Sequence, residues 1–250
     1  MLLQRIEADY GILERQPEPE QFVRFAQHMQ RGGGNLGTNT VALHDDEVGA
    51  VGHAWTLVGI RGTGWFLSPR LIVTAAHVAE AMLLSTREWK EVELRDRESN
   101  RSVAVRILHL AGLHVEKIAV LELRTAIPEA AVLQRRAEPL IPEEGVVSLA
   151  YPNSQMRVAG GRFVQYESDG KLAGSALLEM YEGNDRLVLD HGASGAAVLD
   201  CDGRVVAVVT TLITRTMSFM SNVIRTSTAW QSPNVVAIPI QVLKDFSWSE

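Results

Sequence analysis

The sequence predicts an all-β protein of sandwich or barrel type behind a partly helical N-terminal extension, and three observations carry that expectation. From about residue 53 onward, short runs rich in Val, Ile, Leu and Thr follow one another closely, divided by Gly, Pro, Asp and Asn. Stretches with helical periodicity are few and short. With 46% hydrophobic and 22% charged residues in a chain of 250, the composition is that of a globular protein able to bury one large core or two smaller ones.

The elements follow in chain order. Residues 18–31, EPEQFVRFAQHMQR, place Phe22, Phe25, Ala26 and Met29 at i, i+3, i+4 and i+7, one apolar helix stripe that stops at Gly32, Gly33 and Gly34. That glycine run follows a helix and lacks a Lys-Ser/Thr pair, so it does not read as a phosphate cradle. GGGNLGTNT and HDDEVGAVG are polar and glycine-dotted, so residues 1–52 are expected to form an extension, irregular outside its one helix. A first β half, 53–130, offers AWTLVGIRG, TGWFLS, RLIVTAAH, VELRD, SVAVRILHL and KIAVLEL, with a short helix, VAEAMLL, after His77. TAIPEAAVLQRRAEPLIPEEG, with three prolines, reads as the connection to a second half, 131–250. There VVSLAYP, GRFVQY, SALLEMY, RLVLD, AAVLD, RVVAVVTT and VVAIPI are strands, and QVLKDFS at 241–247 closes the chain as a short helix.

Charge and cysteine usage narrow the functional classes. The net charge is -6, and residues 1–60 carry eight acids against four Arg, which argues against a nucleic-acid partner. Cys201 is the one cysteine, so no intrachain disulfide is possible and a reducing compartment is expected. The N-terminus places Arg5, Glu7 and Asp9 where a signal peptide needs an apolar core, and no run approaches about 18 apolar residues. A cytoplasmic location, away from membranes, is the expectation. The seven histidines form no HExxH pair and one cysteine cannot build a thiolate site, so neither metal nor cofactor is expected.

Two segments carry chemistry. In GTGWFLSPRLIVTAAHVAE, His77 ends an apolar strand just before the chain turns into a helix. In DHGASGAAVLDCDGRVVAVVTT, Ser194 lies among Gly192, Ala193, Gly195, Ala196 and Ala197, small residues that let a substrate approach and let backbone N–H groups aim at a reacting oxygen. A serine hydroxyl is a weak nucleophile and an imidazole its usual base, which makes His77 and Ser194 a candidate pair. Their order excludes an α/β-hydrolase, whose histidine follows its serine, because the last histidine here is His191.

Together these motifs resemble the trypsin-like serine peptidases, in particular their disulfide-free bacterial branch. The matching stretches are GTGWFLS at 62–68, TAAHV at 74–78, KIAVL at 117–121, GASGAAV at 192–198, GRVVAVV at 203–209 and VAIPI at 236–240, so the likeness covers about residues 53–245. The resemblance implies a chymotrypsin-like double barrel of two packed six-stranded β-barrels, the first carrying His77 and the second Ser194. It implies a serine endopeptidase acting on protein or peptide substrates through an acyl-enzyme. His77 would be the general base, Ser194 the nucleophile, and the N–H groups of Gly192 and Ser194 the oxyanion hole. Val188, Leu189 and Thr210, Thr211, Leu212 would surround the specificity pocket; without a charge at its base, that pocket is expected to take an apolar or small side chain.

One position departs from the family. The residue before IAVL should be the aspartate that orients the base, and here it is Lys117. A neutral replacement of that acid costs about 10⁴ in turnover in a well-studied serine protease, and a cation also opposes the imidazolium formed during attack. Glu116, brought round by a bulge or a one-residue slip, is one substitute; Asp190 is a second; a bare Ser-His dyad is a third. A site that is silent until a protein partner reshapes it, tethered through the N-terminal extension, or a pseudo-peptidase that only binds protein, also fits Lys117. Ala193, where trypsin has an aspartate before the nucleophile, means that activation by insertion of a new N-terminus is not encoded.

Overall fold

A computed structural model describes residues 40–51, 54–95, 100–151, 156–181, 192–212, 214–219, 222–227 and 233–248. The expected helix at 18–31, the glycine run after it and the strand RLVLD lie outside them.

The first barrel is built from β1 (Thr40–Val51), β2 (Ala54–Ser68), β3 (Leu71–Ala75), β4 (Lys90–Arg95), β5 (Asn100–Gly112) and β6 (Lys117–Leu123). Its strands close in the order β1-β2-β3-β6-β5-β4, and a helix, α1 (Ala76–Ala81), follows β3. The second barrel takes β7 (Gly145–Ala150), β8 (Arg157–Tyr166), β9 (Ala176–Tyr181), β10 (Ala197–Leu199) and β11 (Val205–Leu212). A separate hairpin of β12 (Thr214–Phe219) and β13 (Asn222–Ser227) precedes its last strand, β14 (Val235–Pro239), and the closed order is β10-β11-β14-β9-β8-β7. All of these pairings are antiparallel, and closure removes the exposed edges that open sheets leave. This is the chymotrypsin-like double barrel. Among the described residues, no helix is long and apolar enough to cross a membrane.

Two local expectations need correction, and one element is new. Residues 40–51 are not irregular extension: β1 pairs with β2 from Thr40↔Trp65 to Val51↔Ala54 and closes the first barrel against β4. Its acids and glycines break any period-2 pattern, but a ladder is made by backbone N–H and C=O groups, which every residue except proline supplies in full. The β12–β13 hairpin was not expected either. The C-terminal helix is a 3-10 turn, Ile240–Leu243.

Apolar side chains sort into three clusters. Phe66, Ile72, Ala119 and Leu121 belong to the interior of the first barrel, and Phe163, Leu178, Ala207 and Val235 to that of the second. The third cluster is shared: Trp65, Leu71, Val73, Ile118 and Val120 from the first barrel meet Val147, Leu149, Val158, Val208 and Ile238 from the second. Strand alternation explains why KIAVL reads as an unbroken apolar run. Ile118 and Val120 face the seam while Ala119 and Leu121 fill the barrel, so both faces of β6 are buried. The connecting segment is tied to each barrel in turn, Leu133 N–H donating to Phe66 and Arg136 N–H to Val205.

Candidate active site

His77 is placed by rigid backbone on both sides. All five residues of β3 are buried, as are Ala76, Val78 and Ala79 of α1, the last two in the core of the first barrel, so the chain around His77 is fixed while its side chain is exposed. Among the described residues, the imidazole has no hydrogen-bond partner.

Ser194 stands on a tight loop of the second barrel. Gly192 and Gly195 have φ of 102° and 92°, the left-handed region that a side chain disfavours. Ala196 N–H donates to Ala193 at 3.0 Å, and Gly195 N–H to Val209 at 2.7 Å, which pins the loop to β11. The N–H groups of Gly192, Ala193 and Ser194 meet no acceptor among the described residues. Buried N–H groups rarely go without a partner, and a run of them on a glycine-bent loop is suited to hold an anion. That run lies beside the Ser194 hydroxyl.

The hydroxyl is itself engaged. Ser194 Oγ donates to the Thr210 carbonyl at 3.2 Å. The β11–β14 register shifts between Val209 and Thr211, so Thr210 is an extra residue in the ladder and its carbonyl turns to Ser194. The Thr210 hydroxyl, 2% exposed as a residue, donates to Val236 at 3.3 Å. Thr210 thus adjoins Ser194 itself. Thr211 and Leu212 continue β11 opposite Val236 and Val235. Val188, Leu189 and Asp190 lie outside the described residues.

Lys117 is the first residue of β6 and is exposed. The β3–β6 ladder is regular from Leu71↔Glu122 to Ala75↔Ile118, and β5 pairs on through Gly112↔Lys117 into a hairpin closed by Leu113 N–H donating to Glu116 at 2.9 Å. The one register shift between β5 and β6 falls between Ile107 and His109, remote from Glu116. By alternation Glu116 continues the face of Ile118 and Val120 toward the seam, while Lys117 continues that of Ala119 at the barrel's open end. Among the described residues, neither side chain has a hydrogen bond or ion pair, so no carboxylate is bonded to His77.

Sequence reasoning passed over the residue that joins the two halves of the site. Thr63, fully buried in β2, donates its hydroxyl to the Gly192 carbonyl at 2.6 Å and accepts the Tyr151 N–H at 2.9 Å. Its own N–H donates to the Ser194 carbonyl at 2.8 Å, and its carbonyl accepts the Thr74 hydroxyl at 2.8 Å. The one signal available was a hydroxyl residue between two glycines, Gly62 and Gly64.

Cys201 lies away from this constellation, partly buried beside Gly145. Burial first, and then the carboxylates of Asp200, Glu144 and Asp202, push its thiol up to about 12. Only the thiolate reacts with alkylating agents, so native protein at pH 8 is expected to take up iodoacetamide ~10²- to 10³-fold more slowly than urea-unfolded chain. Equal rates by mass spectrometry would contradict that burial.

Comparison with known proteins agrees with this geometry. A family model described as "Trypsin-like peptidase domain" matches residues 62–208, more than half of the chain. Among solved structures, the active form of the Rv3671c protease of M. tuberculosis is similar at 15% identity and TM-score 0.58, covering 94% of this chain and 90% of that one. Its inactive form aligns at 16% identity and TM-score 0.57 over 93% and 96%. An inactive serine-to-alanine mutant of the same protein aligns at 14% and 0.55 over 94% of each chain. No curated protein matches by sequence.

Proposed function

Because the chain belongs to the trypsin-like peptidase family, we propose that it is a serine endopeptidase that cleaves peptide bonds through an acyl-enzyme on Ser194. The run of N–H groups from Gly192 to Ser194, which meet no acceptor among the described residues and lie beside a hydroxyl, carries this reading. Ser194 Oγ attacks the scissile carbonyl as His77 takes its proton, and the N–H groups of Gly192 and Ser194 hold the oxyanion. His77 then protonates the leaving amine, and water repeats the steps in reverse to free the enzyme. The substrates are proteins or peptides with an apolar or small residue in the primary pocket, a preference that rests on the uncharged residues Val188, Leu189, Thr211 and Leu212 at the positions the family likeness gives to that pocket. The single cysteine supports a cytoplasmic location.

The resting site needs completion. Attack requires Ser194 Oγ to turn from Thr210 to His77, and His77 to gain an orienting acid in place of Lys117. We assign that acid to Glu116, brought to the imidazole when a protein partner held by the N-terminal extension rebuilds the hairpin from Gly112 to Lys117. Lys117 and the Ser194–Thr210 hydrogen bond also favour a second reading, a pseudo-peptidase whose cleft binds protein without turnover. Fluorophosphonate labelling between pH 6 and 9 separates the two. The peptidase reading expects Ser194 to be modified and Ser194→Ala to stay unmodified; a natural chain that never reacts, alone or in cell extract, leaves only the binding module.

A further inference from the structure

We infer that Thr63 is a positioning residue of the oxyanion hole, acting through its hydroxyl on Gly192; this rests on the peptidase reading above. Gly192 has no side chain to hold it and sits at φ 102°, so nothing within the residue fixes where its N–H points. Among the described residues, what anchors it is the hydrogen bond that its carbonyl accepts from Thr63 Oγ1 at 2.6 Å, across 129 positions of sequence; that bond fixes the Gly192–Ala193 peptide plane, and through it restrains the Gly192 N–H on the other side of Cα. The donor is well anchored. Thr63 Oγ1 also accepts the Tyr151 N–H, which leaves its proton directed at Gly192, and the residue has no exposed surface for water to compete.

The same residue ties the nucleophile to the base. Thr63 N–H carries the Ser194 carbonyl, and the Thr63 carbonyl is bonded by Thr74, three positions before His77. The first of these bonds crosses from one barrel to the other, the second lies within the first barrel, and both survive any substitution at Thr63 that keeps its backbone and, for the second, Thr74. Among the described residues, the hydroxyl is the one hydrogen-bond partner of Gly192. Its loss therefore acts on the oxyanion, which exists only during reaction, more than on substrate binding.

The test compares Thr63→Val, which keeps the shape and removes the hydroxyl, with Thr63→Ser, which keeps the hydroxyl. Fluorophosphonate labelling of Ser194 is expected to slow by ~10- to 100-fold in Thr63→Val and to stay within about threefold in Thr63→Ser. On an apolar peptide ester the Val loss should fall on kcat with KM nearly unchanged. An apolar peptide aldehyde, which generates an oxyanion on Ser194, should lose affinity in the same proportion. If Thr63→Val does not fold, judged by circular dichroism, Thr63→Ala against Thr63→Ser makes the same comparison. Natural chain and Thr63→Val labelling at equal rates would overturn the inference and leave the peptidase reading intact. Failure of the natural chain to label under every condition would overturn both.

Discussion

Lys117→Asp is expected to raise the rate of Ser194 phosphonylation by two to four decades. The upper bound comes from the cost of losing the triad acid, about 10⁴ where only the charge is removed. The position is suited to the change: Lys117 opens β6 one step beyond the Ala75↔Ile118 pair, beside the end of the strand that delivers His77, and it is exposed with no ion pair to break among the described residues. Folding should therefore be little affected. Lys117→Met removes the cation without adding an acid, and is expected to recover only the smaller part of the gain. A Lys117→Asp rate equal to that of the natural chain would mean that another carboxylate already orients His77, and Glu116→Gln would then be the variant that loses activity.

Gly195→Ala is expected to destabilise the protein by more than about 4 kcal/mol, the sum of left-handed strain and overpacking against atoms that cannot retreat. A β-carbon there would lie 2.1 Å from the Thr63 carbonyl oxygen, 2.3 Å from Thr74 Oγ1 and 2.9 Å from the Ala75 nitrogen, at φ 92°. All three atoms are backbone or a short hydrogen-bonded side chain in buried strands, so the second barrel would have to separate from the first. For a chain of this size the melting temperature should fall by at least ~8 °C. Gly203→Ala is the control: its φ is 78°, but no atom lies within 4 Å of the added carbon, so it bears the conformational cost alone, about 1 kcal/mol. Melting curves in which the two variants fall equally would show that the close approach of the barrels at Gly195 costs nothing.

How much was legible depended on how local the requirement was. KIAVL, LIVTA and VVAVV announce themselves because both faces of these strands are buried. The Gly192–Gly195 loop is legible for a related reason: its two glycines answer to positive φ values set within the loop itself. β1 was not legible. HDDEVGAV supports no apolar alternation, and its strand exists because β2 and β4 offer it backbone partners. Thr210 was read as pocket wall, but a bulge invisible in VVTTL turns its carbonyl onto Ser194.

The sequence by itself determined the β class and the family, and it named His77 and Ser194 as the candidate pair, because each of these is written in short stretches whose backbone demands are met by neighbouring residues. It also located the anomaly at Lys117. Only the tertiary structure decided that Thr63 holds Gly192 and Ser194, that Ser194 rests on Thr210, and that the hairpin from Gly112 to Lys117 runs without a slip at Glu116. The first of these contacts spans 129 positions, and hydrogen bonds at such separation are set by how two closed barrels meet. No local pattern of residue types records that meeting; it follows from the packing of Trp65, Val73, Ile118 and Val120 against Val147, Leu149 and Val208.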